Sequence, residues 1–153
     1  MQLNILDKLP LPVKREVRSK METEFERYRL WKFITFQERE VSITAAWSDT
    51  PKGFTGTVSD QTGNIAAYNV NEPERRRQFC ERVEYAVSRL PHKEQQVITQ
   101  RYMQREVTFD FVVFNQTIDP PMSRGTYDKI KARAMTMLAM ALNIEVEGLK
   151  EIF

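Results

Sequence analysis

The segment MSRGTYDKIKARAMTMLAMALNI (122–144) decides how this chain is read. Ser123 is a favoured helix N-cap, because its hydroxyl can accept a hydrogen bond from a first-turn backbone N–H. Behind it Tyr127, Ile130, Ala134, Met137, Leu138 and Ala141 recur at helical spacing, which predicts a continuous buried stripe. The remaining surface is basic: Arg124, Lys129, Lys131 and Arg133 stand against one anion, Asp128. On a helical projection Asp128, Lys129, Ala132 and Thr136 fall opposite the stripe, with Arg124, Lys131 and Arg133 on its flanks. Small residues beside basic ones, near the start of an exposed helix, suit close approach to a DNA groove. The cations would neutralise phosphates, whereas Thr126, Asp128, Lys129 and Ala132 could reach base edges. A solvated charged face is the commoner use of such a pattern. The surroundings of the segment therefore have to decide.

Upstream, IDPP (118–121) is a firm break. VTFDFVVFNQT (107–117) fits two readings, alternation as a strand or one face of a helix. Core packing is the expected use of Phe109, Phe111 and Phe114, ahead of a partner surface. PHKEQQVITQRYM (91–103) predicts a helix with Val97, Ile98, Tyr102 and Met103 on its apolar side. Before it, NEPERRRQFCERVEYAVSRL (71–90) predicts another, capped near Asn71 or Glu72 with Pro73 in its first turn. Phe79, Val83, Ala86, Val87 and Leu90 line that helix. Its ERRR cluster (74–77) opposes the helix dipole, which suggests either a phosphate contact or pairing with Glu72, Glu74 and Glu81.

WSDTPKGFTGTVSDQTGN (47–64) is rich in Gly, Ser, Thr and Asp and predicts a connector. N-terminal to it, LPLP (9–12) predicts an extended lead-in, followed from Val13 by a helix with Val17, Met21, Phe25 and Tyr28 on one face. Thr35 and Glu38 form a capping-box pattern, which predicts a second helix through about Ala46. The expected organisation is all-α: an N-terminal helical module (1–47), a linker (48–71) and a C-terminal domain (72–153). The stripe of the first helix has three open uses, namely dimerisation, a helical hairpin, or contact with RNA polymerase.

The 153 residues carry 23 basic and 21 acidic side chains, so the net charge of +2 neither demands nor excludes nucleic acid; segregation of charge matters more. Cys80 is the single cysteine and can close no intramolecular bridge, which fits a reducing cytosol. The N-terminal residues lack the apolar core of a secretory signal, and no apolar run is long enough for a membrane span. His92, the lone histidine, and one distant cysteine make no typical zinc site. No nucleophile–base spacing or phosphate-cradling glycine loop is present. Neither an enzyme nor a cofactor is expected.

The neighbourhood of the opening segment adds a resemblance. RLPHKEQQVITQRYM (89–103) resembles the segment that opens the promoter-reading C-terminal domain of bacterial sigma factors, and SRGTYDKIKARAMTML (123–138) resembles that domain's recognition helix. FDFVVFNQTIDPP (109–121) then replaces the first helix and turn of a helix-turn-helix, departing from the sigma pattern by being longer and aromatic. With YRLWKFITFQEREVSIT (28–44), SDQTGNIA (59–66), RRRQFCERVEYAVSRLPHKEQQVITQRYM (75–103) and DPPMSRGTYDKIKARAMTMLAMALNI (119–144), the ordered set resembles the ArpU family of phage and prophage transcriptional regulators. The resemblance implies a regulator of late packaging and lysis genes, with a sigma-like helix-turn-helix that binds double-stranded DNA in the bacterial cytoplasm. It implies host RNA polymerase as a further partner. The residues it carries over lie in SRGTYDKIKAR (123–133); with Thr136 from the outward face of the projection, the candidate DNA contacts are Ser123, Arg124, Thr126, Asp128, Lys129, Lys131, Ala132, Arg133 and Thr136. Two other classes compete: a packaging protein of the small-terminase type, and a polymerase- or sigma-binding protein that never touches DNA.

Overall fold

The computed structural model describes residues 5–45 and 60–152, with side-chain surroundings described for 5–35 and 71–152. It is all-helical, with no strand among the described residues. A 3-10 turn (Ile5–Lys8) leads into α1 (Leu11–Ala45), followed by α2 (Asp60–Ser88) and α3 (His92–Tyr102). A short α4 (Asp110–Val112) runs on into a π turn (Val113–Thr117), and α5 is Arg124–Ala141. The ambiguous aromatic stretch is therefore helical from Asp110 to Thr117, with 107–109 extended or irregular before it, and the connector's first part, 47–59, lies outside the described residues.

Two helices run longer than their signals suggest. Thr35 caps no second helix: its hydroxyl donates to the Trp31 carbonyl at 2.7 Å, a bond to the preceding turn that lets α1 continue. Leu11 and Pro12 belong to the first turn of α1, where proline costs no hydrogen bond. Pro73, expected in a first turn, lies inside α2, because that helix begins within the expected linker at Asp60. A helix interior accepts proline at the loss of one backbone hydrogen bond.

Packing divides the chain into two units, Leu30–Glu81 and a second made of Met1–Arg29 with Arg82–Phe153. These differ from the expected boundaries, because the N-terminal part of α1 packs with the C-terminal helices. The face of Val17, Met21, Phe25 and Tyr28 is fully buried there. Phe25 stacks on Tyr102 of α3 at 4.8 Å and 11°. Tyr28 donates to Glu84 at 2.8 Å and Tyr102 to Glu22 at 3.1 Å, so each phenol buried by that face keeps a partner. In the other unit, Trp31 meets Phe79 edge-on at 4.9 Å. The ERRR cluster there is offset by acids: Arg75 and Arg76 pair with Glu72, and Arg77 with Glu74 and Glu81.

α5 is held from several sides. α3 and the N-terminal 3-10 turn both pack on it. Its buried face is accordingly wider than a single stripe: Lys131, Met135, Thr136 and Ala139 are buried along with Tyr127, Ile130, Ala134 and Leu138. Met137 is only half-buried and Ala141 is exposed. The helix ends in a Schellman motif, with Ile144 N–H donating to the Ala139 carbonyl at 2.8 Å and Asn143 N–H to Met140 at 3.2 Å. Asn143 supplies the left-handed residue (φ 54°) that this closure needs.

Candidate nucleic-acid interface

The start of α5 is built as the sequence suggests. Ser123 Oγ accepts from Thr126 N–H at 3.3 Å and bonds the Thr126 hydroxyl at 2.9 Å, closing the N-cap. The first turn holds no acidic residue, so the positive end of the helix dipole is left uncompensated within it. Ser123, Arg124, Gly125, Thr126, Asp128 and Lys129 are exposed, while Tyr127 and Ile130 are buried beneath them. Arg124 keeps 84% of its side-chain surface and reaches Asp128 only loosely, at 3.8 Å. A Cβ built on Gly125 meets nothing within 4 Å, so the space in front of this turn is open.

Beneath that exposed turn lies a polar cluster that sequence reading missed. Asp110 Oδ1 accepts from Tyr127 Oη at 2.6 Å and from Arg101 Nε at 2.9 Å, and both of its oxygens accept from Lys131 Nζ at 3.2 Å. One carboxylate thus ties α3, α4 and α5 together. Burial alone would raise the Asp110 pKa, but the Tyr127 hydrogen bond and the charges of Lys131 and Arg101 outweigh it and hold the carboxyl below its ordinary range. Burial and the bond to Asp110 push the Tyr127 phenol well above its usual value. An apolar cluster of Val97, Val113, Ile118, Tyr127 and Ile130, with Phe114 and Met122 against it, completes the seating of the helix.

The nine residues singled out from sequence therefore separate. Ser123, Arg124, Thr126, Asp128 and Lys129 share the exposed N-terminal face. Lys131 is not on it: only 6% of its side chain is accessible, and its ammonium is committed to Asp110. Thr136 is buried and donates to the Ala132 carbonyl at 3.0 Å. Ala132 is half-buried in the wall of a cleft. Arg133 forms a two-pronged pair with Asp7 of the N-terminal turn (Nε–Oδ1 2.8 Å, Nη2–Oδ2 2.6 Å). That hydrogen bond, chiefly, lowers the Asp7 pKa and raises that of Arg133. A helical wheel sees one stripe, but packing on several sides turned Thr136, projected outward, and Lys131, projected on the flank, inward.

The cleft beside α5 is ≈ 620 Å³ and lies wholly within the larger unit. Lys14, Arg15 and Arg18 of α1 form one wall, Phe109, Phe111 and Phe114 another, and Arg124, Asp128 and Met135 the third. Phe109 and Phe111 are 68% and 59% exposed, contrary to the expected core role. The physical reason is the short helical turn, which buries Val113 and half-buries Phe114 on one side and leaves the preceding aromatics on the other. Nothing in the local sequence joins Arg15 or Arg18 to this site, since their alternation with Glu reads as an ordinary solvated face.

Among the described residues no group of His, Cys, Asp or Glu could hold a metal ion, and no helix is long and apolar enough to cross a membrane. Comparison with protein-family models, with characterised proteins and with solved structures finds no match.

Proposed function

We propose that this protein is a sequence-specific DNA-binding regulator, an activator of phage late transcription, that inserts the start of α5 into the major groove. The observation that carries the reading is the separation of roles within one short stretch. Ser123, Arg124, Thr126, Asp128 and Lys129 are exposed on a capped helix start, and Tyr127, Ile130 and Lys131 are locked beneath them. A reading head needs outward side chains on a backbone that does not give way. The helical stretch 110–117, the connection 118–123 and α5 have the order of a helix-turn-helix with a long turn. In this reading Arg124 and Lys129 supply phosphate or guanine contacts, and Thr126 and Asp128 discriminate bases. Host RNA polymerase and a second copy of the chain are the partners this role implies, in the bacterial cytoplasm.

Selection of bound duplexes from a random pool, followed by footprinting of the enriched site, tests the reading. The expected result is one enriched sequence protected along a major-groove face, with Arg124→Ala and Lys129→Ala each weakening it. Retention of all duplexes alike, or none at physiological salt, would contradict it.

A further inference from the structure

We propose that the cleft between α1, α4 and α5 is a docking surface for an acidic, amphipathic segment of a partner protein. Its floor and one wall are apolar: Leu11, Phe109, Phe111, Phe114 and Met135. Leu11, Phe109 and Phe111 are exposed together, which is costly in water unless something covers them. The rim is strongly positive. Lys14, Arg15, Arg18 and Arg124 stand at the rim with a single carboxylate, Asp128, while Lys131 is buried against Asp110. Lys131 and Asp110 neutralise each other, and Arg124 and Asp128 are a loose pair. Lys14 bonds the Asp7 carbonyl, and Arg18 pairs with Glu22 on the surface at 3.1 Å. Arg15 is exposed and has no ion pair among the described residues.

Charge complementarity selects an acidic occupant, and the floor decides between classes of acid. A nucleic-acid backbone would have to desolvate phosphates against phenyl rings and a thioether that offer no hydrogen bond, which is unfavourable. A helical segment with leucine or phenylalanine on one face and Asp or Glu on the flanks satisfies both surfaces at once, apolar into the cleft and carboxylates onto the rim. The cleft has the volume of sites that enclose apolar groups. This docking surface stands independently of the DNA reading, although Arg124 belongs to both faces; it supplies the contact by which a DNA-bound or free molecule would engage a second protein.

The test uses the full chain and a fluorescein-labelled helical peptide carrying Leu and Phe along one face and Asp and Glu elsewhere. A second peptide has every acid replaced by Lys, and a labelled duplex serves as the nucleic-acid probe. Fluorescence anisotropy is expected to show saturable, salt-sensitive binding of the acidic peptide and none of the Lys peptide. Phe111→Ser and Arg15→Glu should each weaken it by about tenfold or more. Both positions are exposed, so the circular dichroism of the variants should match the parent; Phe109→Ser gives a second apolar probe. Phe111→Ser should leave duplex binding unchanged. Absence of acidic-peptide binding, equal binding of the Lys peptide, or indifference to all three substitutions would overturn the proposal. So would loss of duplex binding in Phe111→Ser, which would give the cleft to DNA. Self-association in sedimentation that Phe111→Ser abolishes, with no peptide bound, would give it to a second copy and overturn the proposal equally.

Discussion

Replacing Asp110 by Ala should destabilise the larger unit more than any exposed substitution in α5. The carboxylate receives bonds from Tyr127, Arg101 and Lys131, and Lys131 is 6% exposed. Removing one partner of a buried ion pair costs about 3–5 kcal/mol, because the other charge is left stranded. Asp110 itself is a third exposed, so water screens part of the loss and the low end, about 3 kcal/mol, is expected. Lys131→Met removes the charge and keeps the volume, while Asp110 retains Tyr127 and Arg101; about 1 kcal/mol should be lost. In the double variant no ammonium is stranded, and the remaining cost is the unsatisfied Tyr127 hydroxyl and the Arg101 bond. The double variant should therefore lose about 2.5 kcal/mol rather than the additive 4, a coupling of about 1.5 kcal/mol. Urea denaturation followed by far-ultraviolet circular dichroism measures all three, and the Asp110→Ala midpoint should fall by roughly 12–24 °C on heating. Trp31 fluorescence is unsuited, since that ring belongs to the other unit. Strictly additive losses would refute the claim that Asp110 holds α5 through Lys131.

Three smaller outcomes accompany it. Ser123→Ala should cost about 1 kcal/mol in the same denaturation assay, through loss of the N-cap. Asp110 and Asp7 both have pKa values lowered on folding from 3.8, so the unfolded chain binds more protons as acid is added. Their stabilisation is fully present above about pH 4 and is lost as pH falls below it; Asp110→Asn should flatten that part of the stability–pH curve. Arg133→Ala should weaken DNA binding far less than Arg124→Ala in mobility shifts, because Arg133 is already committed to Asp7.

How much was legible in the sequence depended on whether a pattern was local. The cap at Ser123, the anchors Tyr127 and Ile130, and the apolar sides of α1 and α3, apart from Met103 just past the end of α3, follow from spacing within single helices, and the structure has them. The inward turn of Lys131 and Thr136 was not legible, because periodicity describes one buried face and α5 packs on more than one. Asp110 gave no signal beyond its place in an aromatic run whose period fitted strand and helix alike. The continuity of α1 through Thr35 was masked by a capping pattern whose hydroxyl bonds backward instead. The pairing of Asp7 with Arg133, and of α1 cations with α4 aromatics across one cleft, joins residues far apart in the chain. No single-sequence pattern encodes such meetings.

The most direct test of the central reading is the salt dependence of duplex binding by the parent chain, Arg124→Ala, Lys129→Ala and their double variant. Each lost phosphate contact should reduce the slope of log affinity against log salt by about 0.9. The double variant should thus bind more weakly and with a slope shallower by up to about 1.8, its fold intact by circular dichroism. An unchanged affinity and slope in the double variant would contradict a groove-reading role for the start of α5.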